Sequence, residues 1–149
     1  MDRKRVNQDF RILEDYRQRQ LADGKPTWSR HTWKLQGDSA FELFLYDFPL
    51  PPNASPRTTH LKIEGRSCLY DPAWRGGFHF YRNLWLGDEV HVRIPGQKGW
   101  GRLPRLHDKD AYGWHFVCVH PGTVRGDENV LSFLRVLELY INNADPRVW

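Results

Sequence analysis

The chain has 149 residues, 40% hydrophobic and 14% aromatic, with 22 lysines and arginines against 18 acids for a formal charge of +4 and a pI of about 9.2. That length suits one core, and the mixture of apolar residues with charges of both signs excludes a disordered tail, a fibrous repeat and a disulfide scaffold. No apolar run approaches the ~20 residues of a membrane span, and the modest basic excess permits an anionic partner without requiring one.

Two cysteines, Cys68 and Cys118, and a start of Met-Asp-Arg-Lys-Arg without an apolar run predict a cytoplasmic protein with free thiols. The first segment, Asp2 to Leu21, places Val6, Phe10, Leu13 and Tyr16 at helical intervals, with Gly24 as a stop. Thr27 to Leu35 and the run Phe41 to Tyr46, which is apolar on both faces, predict two strands joined by a tight turn. Pro49, Pro51, Pro52 and Pro56 then remove backbone donors and predict an extended loop.

Thr58 to Ile63 alternates as a half-buried strand ending at Gly65. Tyr70 to Gly77 reads as irregular. Aromatic-rich Phe78 to Leu86, and Val90, Val92 and Ile94 alternating with His91 and Arg93, predict a hairpin turning near Gly87-Asp88. Pro95 to Gly101 reads as a turn region, Leu103 to Tyr112 as irregular, and Phe116 to Val119 as a short strand carrying Cys118. The last helix, Asn129 to Asn143, presents Val130, Phe133, Leu134, Leu137, Tyr140 and Ile141 as one stripe, with Asp127 as N-cap and Pro146 beyond its end. The order predicts one α+β domain over 1–149: an N-terminal helix, an antiparallel β-meander and a C-terminal helix.

His107-Asp108-Lys109, Gly113, Cys118 and Asp145-Pro146, set in that order of elements, resemble a ubiquitin-conjugating (E2-like) domain. His107 stands 11 residues before Cys118, near the interval at which the family's His-Pro-Asn element precedes its cysteine, and Pro146 stands 28 residues after it. The chain departs from the family in having Asp108 and Lys109 for Pro and Asn, in lacking a Trp-x-Pro after the cysteine, and in carrying extra residues from Phe78 to Trp100. The resemblance implies a UBC-like fold, an activating enzyme and a ubiquitin-like protein as partners, and a thioester relay on Cys118. Lys109 or a backbone N–H would take the family's oxyanion role, and His120 would lower the thiol pKa from the same strand face. Cys68, in Ser67-Cys68-Leu69-Tyr70-Asp71-Pro72-Ala73-Trp74, resembles the active segment of E2-like proteins of bacterial antiphage operons and is the alternative nucleophile.

Other readings stand beside this one. A cysteine among Phe116, Val117 and Val119 is equally a core residue. His107, His115, Cys118 and His120 are zinc-ligand types, but alternation turns His115 away from the others, so neither a metal nor another cofactor is expected. Arg93, Lys98, Trp100, Arg102 and Arg105, with His91 and His107, form a basic stretch able to follow a nucleic-acid backbone. The same region and the strand ending at Val119 also suit a small SH3-like barrel, a binding module with inert cysteines. In that case Phe78 to Tyr81 and Trp85 would be candidates for a partner surface.

Overall fold

The structure, a computed structural model, describes residues 3–36, 40–66, 81–93, 96, 98–117 and 130–142. Helix α1 spans Arg3–Ala22. It ends as the sequence predicts: Gly24 adopts φ 68°, the Lys25 N–H reaches the Gln20 carbonyl, and the Gly24 N–H reaches that of Leu21. These two bonds form a Schellman cap, which needs a left-handed residue that only glycine supplies without strain.

Among the described residues, nine strands follow in two antiparallel sheets. They are β1 (Arg30–Gln36), β2 (Ala40–Pro49), β3 (Ala54–Ser55), β4 (Thr58–Arg66), β5 (Tyr81–Leu86), β6 (His91–Arg93), β7 (Trp100–Arg102), β8 (Leu106–Lys109) and β9 (His115–Val117). The larger sheet runs β1-β2-β4-β5-β9-β8 and the smaller β3-β6-β7. Helix α2 spans Val130–Asn142 and packs against α1.

One hydrophobic cluster draws on all these layers. Phe41, Leu43, Leu45, Leu61, Ile63, Leu84, Leu86 and Val117 supply the inner face of the large sheet, and Val92 and Ala54 come from the small one, with Val90 just before β6. Leu13 enters from α1, and α2 buries all six residues of its predicted stripe. Gly65 has a packing reason: the Phe41 ring lies across it from the paired position on β2, where a Cβ would collide with the ring. Asn53 ties the proline-rich segment down, donating through Nδ2 to the Ile141 carbonyl at 3.1 Å while its own carbonyl accepts from the Arg93 N–H.

The UBC-like α+β architecture is overturned. The molecule is mostly antiparallel sheet, nine strands in two sheets among the described residues, with one helix near each end. The predicted β5–β6 hairpin does not form. After Leu86 the Gly87 N–H caps the His60 carbonyl, Asp88 accepts the Thr59 hydroxyl at 2.9 Å, and the chain crosses to pair with β3 and β7. Alternation predicted a buried face, which Val90 and Val92 supply, but it carries no information on which strand lies alongside. Residues 103–112, predicted irregular, contain β8, and the predicted turn over 95–101 leads into β7. The segments invoked for an SH3-like barrel fall in different sheets, β6 in the small one and β9 in the large. Among the described residues no helix is long and apolar enough to cross a membrane.

Candidate functional site

Alternation along β2, β4, β5 and β9 turns one set of side chains away from the core, and the register between strands decides what those side chains meet. Thr32 pairs with Phe44, Phe44 with Lys62, Lys62 with Trp85, and Trp85 with Phe116. All five are half-buried, and they form a continuous row across five strands on the face of the sheet turned away from the core. Adjacent strands lie about 4.8 Å apart, which makes the stretch from Phe44 to Phe116 roughly 14 Å long.

The rings in this row touch one another. Trp85 and Phe116 have centroids 5.5 Å apart, and His107 on β8 stands edge-on to Phe116 at 5.2 Å, extending the row to the sixth strand. Trp114, just before β9, leans on Phe44 at 6.0 Å. Lys62 places its ammonium 4.4 Å from the Trp85 ring and 5.2 Å from that of Trp114, so one cation serves two indole faces. Alongside, the Arg30 guanidinium lies 3.9 Å above Tyr46, which contacts His60 edge-on at 5.3 Å. On the other side the row is bounded by Lys34, Glu42, Glu64 and Asn83 in register.

The turn between β8 and β9 completes the surface. One carboxylate oxygen of Asp110 accepts the N–H groups of Tyr112 at 2.8 Å and Trp114 at 2.9 Å, and Gly113 takes φ 91°. These bonds, that to Trp114 first, hold the Asp110 carboxyl below its usual pKa. The turn holds Trp114 over the sheet and presents Tyr112, 87% exposed, at its tip.

The predicted basic stretch is divided by the fold. Arg93 and Trp100 face each other across β6 and β7, with the guanidinium 4.9 Å from the ring and Trp100 44% exposed. Arg102 is held by Asp108 at 2.8 Å and by Glu89 at 3.6 Å, which neutralises it. Lys98 and Arg105 are exposed, the latter at φ 62°. His107 and Lys109 sit exposed on the edge strand β8. Cys118, His120 and Cys68 lie outside the described residues, as do Phe78 to Phe80. His115 is buried, and its Nδ1 hydrogen bonds with the His107 carbonyl at 3.0 Å; because a carbonyl only accepts, Nδ1 carries the proton. Among the described residues no three His, Cys, Asp or Glu side chains gather as metal ligands.

A second constellation escaped the sequence reading. Buried His31 accepts the Trp28 indole N–H on Nδ1 at 3.0 Å, which leaves the ring proton on Nε2, 3.6 Å from Glu14. Burial pushes the His31 pKa down, and Arg17, through its hydrogen bonds, helps hold Glu14 at about 2. No sequence signal announced it, since it joins α1 to the start of β1. The aromatic row left partial signals in the two-faced strand Phe41 to Tyr46 and in Trp85. No protein-family model, curated protein or solved structure matches the chain, so the reading of this surface rests on its own geometry.

Proposed function

We propose that the protein is a cytoplasmic binding module that takes single-stranded nucleic acid across the outer face of its large sheet. The observation that carries this reading is the in-register row Phe44, Lys62, Trp85 and Phe116, extended by Trp114, with Tyr112 exposed two residues before it. Every base offers a π-face, so an open sheet carrying aromatic rings takes unstacked bases without needing a particular sequence, while cations set among the rings attract the phosphates. Lys62 and Arg30 supply that charge within the surface, and the basic net charge of the chain favours the encounter. Glu64 repels phosphate, which directs the strand along the side that bears Arg30, Tyr46 and His60.

The test is titration of a fluorescein-labelled oligothymidine or oligouridine, read by anisotropy and by quenching of tryptophan emission. Saturable binding is expected, with Tyr112→Ala and Trp85→Ala each weakening it by about 1–3 kcal/mol, the usual worth of one base stacked on a ring. Tyr112 is almost fully exposed, so its loss leaves the fold intact; binding insensitive to both substitutions sinks the reading.

The carrier reading, in which an activating enzyme loads a ubiquitin-like protein onto Cys118 as a thioester, with Cys68 as the alternative, has its own test. Alkylation of each thiol in the folded protein is followed against pH in wild type, Cys118→Ser and Cys68→Ser. A poised nucleophile labels quickly near neutral pH. Labelling only after unfolding would identify both thiols as core residues and end that reading.

A further inference from the structure

Away from the aromatic row, α1, α2 and the proline-rich segment enclose a cleft of about 280 Å³, continued by a recess of about 130 Å³. Its floor is a file of three rings: Trp28 lies nearly parallel to Tyr16, centroids 5.8 Å apart at 10°, and to Phe48, 5.9 Å apart at 19°. Pro49 and Pro51 form one wall and Leu137 another. The proline-rich segment thus supplies rigid, donor-free backbone to the side of a cavity. An apolar cavity of about 150 Å³ already accommodates a benzene ring, so the larger chamber has room for one or two fused rings.

Two polar groups narrow the choice of occupant. The Thr27 hydroxyl is buried in the wall with no hydrogen-bond partner among the described residues, and it offers an acceptor to a ring N–H. Glu138 stands exposed on the rim shared by both chambers, with no ion pair among the described residues. A carboxylate at the rim of a cleft lined by the rings of Tyr16, Trp28 and Phe48 favours a cationic ligand. Arg135 lines only the smaller recess.

The geometry points to a binding site for a planar aromatic amine, its ring on the Trp28 file and its ammonium at Glu138. The site is separate from the outer face of the sheet and does not depend on nucleic-acid binding. The test uses tryptamine, indole and indole-3-acetate as probes, followed by amide and indole NMR shifts in the whole chain. Tryptamine should give saturable shifts at Thr27, the Trp28 indole N–H and Glu138, and bind about tenfold more tightly than either other probe, since an ion pair and a cation–π contact together are worth about 1.4 kcal/mol. Glu138→Gln, an exposed substitution that leaves the core alone, should remove the ion-pair part of that advantage and weaken tryptamine several-fold while leaving indole unchanged. Absence of saturable shifts with tryptamine, equal affinity for all three probes, or no effect of Glu138→Gln would each overturn the assignment.

Discussion

At Lys62 one ammonium lies over two indole rings, and this makes it the residue that couples charge to the aromatic row. Lys62→Met keeps the apolar stem and removes the charge, so it isolates the electrostatic part. The expected effect is a loss of about 0.5–1 kcal/mol in fold stability, the worth of a cation–π contact at a partly exposed site, together with weaker oligonucleotide binding. Thermal unfolding and anisotropy measured on the same variant check both. His31 makes a separate statement about pH. Its folded pKa is depressed by burial, so the stability it contributes is fully present above the unfolded value of about 6.5 and is lost as pH falls through the lowered folded value. Protonating Nδ1 also removes the acceptor for the Trp28 indole N–H. Denaturant unfolding from about pH 7.5 down to about pH 5 should show falling stability, with a flatter profile in His31→Asn. Glu14 acts in the same direction at lower pH, its contribution fading between the ordinary carboxylate range and about 2, but its side chain is 41% exposed and solvent screening keeps the effect small.

At the scale of elements, Gly65 shows how a strand accommodates its neighbour. The Phe41 ring occupies the space over that residue, and Gly65→Ala would push the ring off the inner face of the sheet. The expected cost is about 1–3 kcal/mol, typical of overpacking, measurable as a lower denaturation midpoint with unchanged slope. The elements differ in how plainly their residues announce them. Helix α2 was legible because all six stripe residues are buried, and β4 because its alternation is uninterrupted. Strand β8 was not, because Leu106 is its one buried residue and His107, Asp108 and Lys109 face solvent, the charged composition by which edge strands discourage further pairing. The crossing into β6 was hidden for another reason. Burial of Val92 fixes a face, but its partners, Ala54 on β3 and Gly101 on β7, are chosen by packing at a distance. The candidate surface lay between these cases: Trp85 and the two-faced strand β2 hinted at rings outside the core, while the row itself exists only once four strand registers are known.

For the whole molecule, charge distribution decides more than net charge. Arg102 is neutralised by Asp108 and Glu89, so the basic stretch read from the sequence contributes less field than its composition promises. The cations within the aromatic surface are Arg30 and Lys62, which sets a modest expectation for counterion release. The logarithm of the association constant should fall with the logarithm of salt concentration with a slope of about −1.5, near 0.7 per neutralised phosphate on a single strand. Glu64→Gln should tighten binding by removing a repulsive carboxylate beside the row, and an affinity unchanged by both salt and Glu64→Gln would count against a phosphate-bearing ligand.

The contact between α1 and α2 also has a consequence for the order of events during synthesis. Tyr16 shares the walls of one recess with Leu131 and Leu134, residues more than a hundred positions later in the chain. Until α2 leaves the ribosome, Tyr16 and Trp28 lack the wall that Leu131 and Leu134 give this recess, and the chain emerges with an aromatic seam open there. Vectorial folding can assemble β1, β2 and β4 early, since they are neighbours in sequence, but the seam closes last. A nascent chain arrested before residue 130 should therefore be held by chaperones that recognise exposed aromatic surface, and released once the final helix has docked.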